Sequence, residues 1–357
     1  MLTGAQRVAV ALVVALLTSC ASSSDTAPRT QATRSYRMGF SYLPPRLTIE
    51  DVLRTADSVS RHSDGLLINL DIPWATLLAG GSAAQSVRQD VLPLAQVFQQ
   101  KGIPIVATLD VANGIDRSAE SRVLDSLGRS ITDPAVQRVY RDYVVAFDSI
   151  IHPTWLALAM ETNLIRLASP PKLYSAVVTM TNAAAQQLRA TGSTTKLMVS
   201  VQVETAWGRP GNTFVGIQRD RTDFPFVQGF GLSSYPYLGG FAAPEQIPLE
   251  YYSKLVADAP LPMMVTEGGW TSASVPGAAS SLDLQARYIR RQMAIADNAQ
   301  LLGVYQITFT DLDLASFHLP PGTILPLFAF LGMEDTSYKP KPALAVWDSV
   351  RAVPLAH

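Results

Sequence analysis

Five acidic residues stand at the points where short apolar segments of the chain end. They are Asp71, Asp110, Glu161, Glu204 and Glu267. A short apolar run bounded by polar residues is typical of a buried strand, so each carboxylate is carried to the end of such a strand. Burying a carboxylate is unfavourable unless it is paired or hydrogen-bonded. Each of these side chains therefore needs either a partner or a function.

Two of these carboxylates, Glu161 and Glu267, are candidates for a pair that works together. Two facing carboxyl groups are suited to cleaving a glycosidic bond, because one protonates the leaving oxygen while the other attacks or activates water. A separation of about 5 to 5.5 Å gives retention of configuration, and about 6.5 to 9.5 Å gives inversion. The segments that carry the two residues must then meet at a common site.

Eight apolar segments are predicted to be strands that position these carboxylates. They span residues 38–43, 65–70, 103–109, 155–160, 196–203, 229–234, 263–266 and 302–308. Apolar residues at helical spacing predict helices between them, near residues 49–59, 84–101, 134–147, 173–188, 249–256, 286–296 and 342–350. Residues 204–227 carry no long helical pattern, because glycine and proline interrupt it.

The order of these elements predicts the fold. Alternating helices and near-continuous apolar strands are typical of a parallel sheet covered by helices. Eight such units predict a closed (β/α)8 barrel, the TIM barrel, as a single domain over residues 36–357. Functional groups of this fold gather at the C-terminal ends of the strands. Strands four and seven lie three places apart in a ring of eight, so Glu161 and Glu267 can face each other across the mouth.

Three motifs of the chain resemble those of clan A glycoside hydrolases. They are Ala-Leu-Ala-Met-Glu-Thr-Asn at residues 157–163, Gly-Leu-Ser-Ser-Tyr-Pro-Tyr-Leu at 231–238 and Val-Thr-Glu-Gly-Gly-Trp at 265–270. Within that clan the chain is most similar to the arabinogalactan endo-β-1,4-galactanase family and its uncharacterised relatives. The resemblance covers nearly the whole span from 37 to 350.

The resemblance implies a retaining O-glycosyl hydrolase that acts on a polysaccharide or oligosaccharide and uses no cofactor. By position in the motifs, Glu161 is the general acid/base and Glu267 the nucleophile. Tyr235, at the end of the sixth strand, is expected to hydrogen-bond the nucleophile. A double displacement through a glycosyl-enzyme would follow.

Further residues near the strand ends are expected to contact the sugar. The acidic and amide candidates are Asp71, Asp110, Glu204 and Asn163, and the aromatic candidates for stacking are Trp74, Trp207, Trp270 and Phe309. Large aromatic side chains also dominate core burial, so packing of a loop is the alternative role for each tryptophan.

The chain departs from the clan pattern beside the acid/base. The clan usually has asparagine there, in contact with the sugar 2-hydroxyl, and this chain has Met160. Asn163 is the candidate to take over the contact. The eighth strand offers Gln306, Thr308 and Phe309 in place of the usual tryptophan. These departures favour an alternative function, a surface lipoprotein that binds carbohydrate on a glycosidase scaffold without cleaving it.

The first residues predict export and lipid anchoring. Arg7 precedes an apolar run from Val8 to Leu17, and Leu17-Thr18-Ser19-Cys20 resembles a bacterial lipobox. We therefore expect a signal peptide over 1–19, lipidation of Cys20, the sole cysteine, and a polar tether over 20–35. Since position 22 is not aspartate, the anchor is expected in the outer membrane if the host is Gram-negative.

Composition argues against several other classes of protein. A formal net charge of −1 gives no electrostatic reason to bind nucleic acid. The four histidines are scattered, so no metal site is predicted, and no glycine-rich phosphate loop precedes a helix. With 48% hydrophobic residues the chain can bury a large core. We expect a monomer whose partners are a carbohydrate and, through Cys20, a membrane.

Overall fold

Eight parallel strands hydrogen-bond in chain order and close into a barrel where the last pairs with the first. The computed structural model describes residues 33–209, 211, 213–317, 319 and 322–356, so the signal peptide and Cys20 lie outside it. The strands are β1 (Arg37–Ser41), β2 (Gly65–Asp71), β3 (Ile105–Asp110), β4 (Trp155–Ala157), β5 (Lys196–Gln202), β6 (Gly229–Ser234), β7 (Met263–Gly268) and β8 (Gly303–Gln306). This arrangement confirms the predicted (β/α)8 barrel.

Helices cover the outside of the barrel. They are α1 (Ile49–Arg61), α2 (Trp74–Leu78), α3 (Ala83–Ser86), α4 (Leu92–Gln99), α5 (Arg122–Ser126), α6 (Pro134–Ile151), α7 (Thr162–Ala168), α8 (Pro171–Ala190), α9 (Val203–Ala206), α10 (Gln218–Asp223), α11 (Leu282–Ala299) and α12 (Pro342–Arg351). A π-helical turn, Val87–Val91, joins α3 to α4. Within the described part of the chain no helix is both long and apolar enough to cross a membrane.

Local sequence explains where the helices begin. The hydroxyl of Thr48 accepts a hydrogen bond from the backbone N–H of Asp51 at 3.1 Å, which caps α1. Pro134 occupies the first turn of α6, where its missing N–H leaves no hydrogen bond unmade.

The inside of the barrel is filled by a small apolar cluster made of Leu67, Val106, Ala157, Met198, Met264 and Tyr305. Tyr305 is the largest member, and glycines on β2 and on β8 itself make room for its ring. A Cβ added to Gly65 would lie 2.6 Å from the Tyr305 hydroxyl oxygen, and one added to Gly303 would lie 2.7 Å from a ring carbon. The larger core lies between the barrel and the helices. The inside of the barrel is therefore a packed core, and functional groups are expected at the C-terminal ends of the strands.

Three sequence predictions are wrong in detail. The helix predicted near residues 249–256 is replaced by the 3₁₀ turns Leu249–Tyr251 and Ser253–Val256, which follow a 3₁₀ turn at Pro244–Gln246. The fourth strand ends at Ala157 instead of 160.

The third correction concerns the end of the predicted tether. Arg34 is 5% exposed, forms an ion pair with Asp64 at 2.8 Å and donates to the carbonyl of Val353 at 2.9 Å. A charged side chain buried with partners belongs to the folded domain. The domain therefore begins at least two residues before 36.

Candidate active site

A cavity of about 390 Å³ opens at the C-terminal ends of the strands and brings Glu161 and Glu267 together. Arg117, Gln202 and Tyr235 also line it. Each of these residues follows or ends a different strand, which is how this fold assembles a site from distant parts of the chain.

Glu267 lies near the end of β7, opposite Ser233 of β6 at a point where the register between the two strands shifts. The Tyr235 hydroxyl donates to Oε1 of Glu267 at 2.8 Å, as expected from the sequence. Burial raises the pKa of Glu267, and the facing carboxylate of Glu161 raises it further. Arg117 and the Tyr235 hydrogen bond act in the opposite direction. The net direction is upward, so Glu267 holds a proton more readily than an exposed glutamate.

Glu161 occupies a strained position at the end of the fourth βα unit. Regular β4 stops at Ala157, and Glu161 has φ 48° and ψ 45°, the left-handed region that is unfavourable for a residue with a Cβ. Its backbone N–H donates to the Ser200 hydroxyl on β5 at 2.9 Å. The strain and this hydrogen bond together fix where the Glu161 carboxylate points. Backbone strain of this kind gathers at functional sites.

Arg117 binds the Glu161 carboxylate and was missed by the sequence analysis. Its Nε donates to Oε2 of Glu161 at 2.8 Å, and Nη1 donates to both carboxylate oxygens of Asp110 at 2.6 and 2.8 Å. The arginine is 6% exposed. One buried guanidinium thus pairs with two buried carboxylates, which is the partner that burial of these acids requires.

The loop after β3 is shaped by side-chain hydrogen bonds that place Arg117. The carbonyl oxygen of the Asn113 side chain accepts from the N–H of Ile115 at 3.1 Å, and the Asp116 carboxylate accepts from the N–H of Ser118 at 3.0 Å. Such turns fold a loop back on itself. The signal in the sequence was an arginine seven residues after Asp110, in a chain whose buried acids lacked an assigned cation.

The hydrogen-bond donors to the two glutamates differ. The Arg117 guanidinium donates to the Glu161 carboxylate, and the Tyr235 hydroxyl donates to the Glu267 carboxylate. Glu161 and Glu267 therefore face the same cavity with opposite kinds of neighbour. One accepts from a cation, and the other is enclosed beside a neutral phenol.

A second, more polar compartment of about 230 Å³ adjoins the first at Arg117 and Glu267. Asp71 and Met160 also line it. Asn69 lines it too, and its Oδ1 accepts from the Thr108 hydroxyl at 2.5 Å, while its buried Nδ2 has no hydrogen-bond partner among the described residues. The amide N–H₂ of Asn69 therefore has unused hydrogen-bonding capacity beside this compartment.

Two of the predicted polar contacts have structural roles instead. Asn163 is 1% exposed and pairs with the backbone of Gln202, accepting at 2.8 Å and donating at 2.8 Å. Glu204 is 4% exposed and accepts from the Tyr251 hydroxyl at 2.9 Å, and burial raises its pKa to about 7. Neither side chain lines either compartment. The substitution of Asn163 for the missing clan asparagine is therefore ruled out by its existing hydrogen bonds.

The four aromatic residues predicted to stack on sugar are not brought to the cavity. Trp74, Trp270 and Phe309 are at most 1% exposed, and their rings pack against Tyr140, Tyr288 and Phe40 respectively. Trp207 stacks on Tyr251 with ring centroids 5.2 Å apart, and Lys254 lies over its ring. Their hydrophobic area is used in the core, which was the alternative role given above. The aromatic side chains that do line the cavity are Tyr235 and Phe328.

Within the described residues, no group of three or more histidine, cysteine, aspartate or glutamate side chains is placed to hold a metal ion. Asp110 and Glu161 are instead paired with Arg117, and Glu267 accepts from Tyr235.

Comparison with known proteins relates the fold to glycosidases. No family model matches the chain, and no curated protein is similar to it. Among solved structures, the exo-β-1,4-mannosidase Op5Man5 from Opitutaceae bacterium strain TAV5 aligns at 13% identity and a TM-score of 0.62, covering 90% of this chain and 61% of that one.

Two further structures are similar to the same extent. A family 39 glycoside hydrolase from Bacteroides cellulosilyticus WH2 aligns at 16% identity and a TM-score of 0.60, covering 90% of this chain and 64% of that one. A GH5_18 protein from Bifidobacterium longum, in complex with Manb1-4GlcNAc, aligns at 16% identity and 0.59, covering 90% and 80%.

These similarities define the class of fold. The chain is a (β/α)8 barrel of the type found in glycoside hydrolases, and it spans 61% of the mannosidase and 64% of the family 39 enzyme. The likeness to the galactanase family stays a prediction from the motifs.

Proposed function

We propose that the protein is a retaining glycoside hydrolase that cleaves O-glycosidic bonds with Glu161 and Glu267. One observation carries the proposal: Glu161, which follows β4, and Glu267, near the end of β7, share one cavity at the C-terminal mouth of a glycosidase-type barrel, where a cation donates to the first and a phenol donates to the second. Two carboxyl groups in different environments are the arrangement that acid/base pairs use.

In the proposed reaction Glu267 attacks the anomeric carbon while Glu161 gives its proton to the departing oxygen. The bond to the leaving group breaks as the bond to Glu267 forms. Water then attacks the same carbon, Glu161 takes its proton, and the Glu267 carboxylate is released. Tyr235 donates to the carboxylate of Glu267 at the start and end of this cycle.

Arg117 adds a step to this scheme. Its guanidinium donates to Glu161. For Glu161 to give its proton to the departing oxygen, this hydrogen bond must be released. Asp110, which already accepts from Arg117 twice, can then hold the guanidinium.

Asn69 is proposed to replace the contact that Met160 cannot make. Its free Nδ2 and the Met160 side chain line the same polar compartment. A donor there can bind a sugar hydroxyl, and such contacts strengthen in the transition state. Asn69→Ala is expected to lower kcat/KM about 10- to 100-fold, the loss expected for one hydrogen bond to substrate in a dry site.

The direct test is turnover on a panel of β-linked glycans and synthetic β-glycosides. The purified full-length chain is compared with Glu161→Gln and Glu267→Gln, and Glu204→Gln serves as the control for loss of a buried glutamate outside the cavity. Each site variant is expected to lose at least about 1,000-fold in rate, as removal of a group central to the chemistry does. Equal product release by wild type and both site variants would refute the proposal.

A second candidate function is carbohydrate binding without cleavage. The buried Arg117–Glu161 pair favours it, because a guanidinium that stays on Glu161 blocks proton donation. In that case calorimetry would detect glycan binding by the wild-type chain, with no product from any member of the panel. Binding with turnover supports the hydrolase.

Export and lipid anchoring at Cys20 are proposed from the N-terminal motif. Metabolic labelling with a radioactive fatty acid checks this: incorporation into the wild-type chain and none into Cys20→Ser is expected. Labelling of both chains would contradict it.

A further inference from the structure

The larger compartment of the site has walls that do not suit a sugar ring. Apart from the polar groups at the strand ends, side chains from four βα loops and α7 close it, among them Leu43, Ile115, Leu164, Leu238, Leu325 and Phe328. A pyranose carries several hydroxyls, and each one buried against such a wall would lose its hydrogen bonds to water. An apolar group would gain from the same wall.

The smaller compartment has the opposite character. Asn69, Asp71 and Asp110 supply hydrogen-bonding groups there, and the buried Nδ2 of Asn69 has no hydrogen-bond partner among the described residues. At about 230 Å³ against about 390 Å³ it is also the smaller space. It suits one sugar ring.

The two compartments meet at the groups that would do the chemistry. Arg117 and Glu267 line both, and Glu161 lines the larger one. A molecule that lies across this boundary has its sugar on one side of the carboxylates and its leaving group on the other.

The apolar surface continues to the rim of the cavity. Leu238 is 36% exposed and Ile324 is 41% exposed, and both line the larger compartment. Exposed apolar residues that continue into an apolar cavity mark a binding surface more than scattered ones do.

We infer that the substrate is an amphiphilic glycoside, in which a single sugar is joined to an apolar aglycone such as an alkyl or acyl chain. The inference rests on the proposed hydrolase function and names its substrate class. The aglycone occupies the 390 Å³ compartment, and the sugar occupies the 230 Å³ compartment beside Asn69.

The test compares kcat/KM across matched leaving groups on one sugar. Methyl, butyl and octyl β-D-glucosides, galactosides, mannosides and glucuronides are assayed beside the corresponding β-linked disaccharides. Each buried methylene is expected to raise kcat/KM about threefold until the compartment is filled, so octyl should exceed methyl by about 100-fold or more. Equal values for methyl and octyl, or a disaccharide that exceeds the octyl glycoside, would overturn the inference.

Variants of the wall make the test independent of sugar choice. Leu164→Gln and Leu325→Gln should each lower kcat/KM about tenfold more for the octyl glycoside than for the methyl glycoside. Leu282→Gln, an exposed leucine on α11 outside the cavity, is the matched control. Loss on both glycosides alike would indicate general damage and count against the inference.

Failure of the inference differs from failure of the proposed function. If disaccharides are cleaved best, the hydrolase stands and the aglycone assignment falls. If nothing is cleaved, calorimetry with octyl and methyl β-glycosides tests whether the larger compartment binds an apolar group. Octyl binding that Leu325→Gln weakens supports the apolar site, and equal binding of both glycosides contradicts it.

Discussion

Glu161 and Glu267 line one cavity, but their backbone positions and hydrogen-bond partners differ. Glu161 sits on strained backbone and shares a buried arginine with Asp110, whereas Glu267 sits near the end of β7 and accepts from Tyr235. The first is a partner in a charge network, and the second is a buried acid whose pKa is raised. The contrast shows that two carboxylates of equal chemistry acquire different roles from what lies beside them.

Replacing Arg117 should have the largest effect on the stability of the protein. Arg117→Met would leave Asp110 and Glu161 buried without their cation, which should destabilise the fold by about 3–5 kcal/mol in urea unfolding. Arg129→Met is the control, because Arg129 pairs with Asp133 at the surface, and its midpoint should stay within error. Adding Asp110→Asn to Arg117→Met should recover part of the loss. No loss in Arg117→Met would show that the pair does not hold the site.

Replacing each glutamate by glutamine should change the stability of the protein in opposite directions. Glu161→Gln weakens a charge-assisted hydrogen bond to Arg117 and should destabilise the protein by about 1–2 kcal/mol near neutral pH. Glu267→Gln removes an acid that is unfavourably buried, so it should stabilise the protein under the same conditions.

The pH dependence follows from the raised pKa of Glu267. The unfolded chain has a value near 4.5, and the folded value is higher. As pH rises from 4.5 to the folded pKa, the unfolded state ionises first and the wild type loses stability. The advantage of Glu267→Gln should therefore be absent below pH 4.5 and grow above it. Thermal melts from pH 4 to 9 measure this, and a constant difference would contradict the assigned direction.

The smallest expected effect comes from removing the hydrogen bond that Tyr235 donates to Glu267. Tyr235→Phe removes the hydroxyl that donates to the carboxylate, so the pKa of Glu267 should rise further and stability should fall by about 1 kcal/mol. The limb of the pH–rate profile that reports Glu267 should move to higher pH. Tyr237→Phe is the control, because its hydroxyl donates to the Leu327 carbonyl. A limb that moves equally in both variants would argue against a specific effect of Tyr235.

The barrel and the carboxylate pair could be predicted from sequence, because both follow from periodic patterns. Apolar runs that alternate with helical spacing determine the order of strands, and the position of Glu161 and Glu267 at strand ends follows from that order. The Tyr235 contact followed from the motif.

Arg117 and the cavity walls could not be predicted in the same way. A loop arginine is placed by turns that depend on side-chain hydrogen bonds, and its three acceptor oxygens come from two different strands. The prediction that Trp74 and Trp270 stack on sugar was wrong for a related reason. Both residues lie at or after the ends of strands, but their side chains are buried in the core. The position of a residue in the sequence does not determine the direction of its side chain.

Trapping of the glycosyl-enzyme tests directly whether Glu267 is the nucleophile of a retaining reaction. The full-length chain is incubated with the activated 2-deoxy-2-fluoro β-glycoside of the sugar selected in the panel, then digested and analysed by mass spectrometry. If Glu267 is the nucleophile, the peptide that contains Glu267 gains the mass of one fluoroglycosyl unit, and the corresponding peptide of Glu267→Gln gains none. A label on Glu161, or hydrolysis of the panel substrate with inversion and no label on either glutamate, would contradict it.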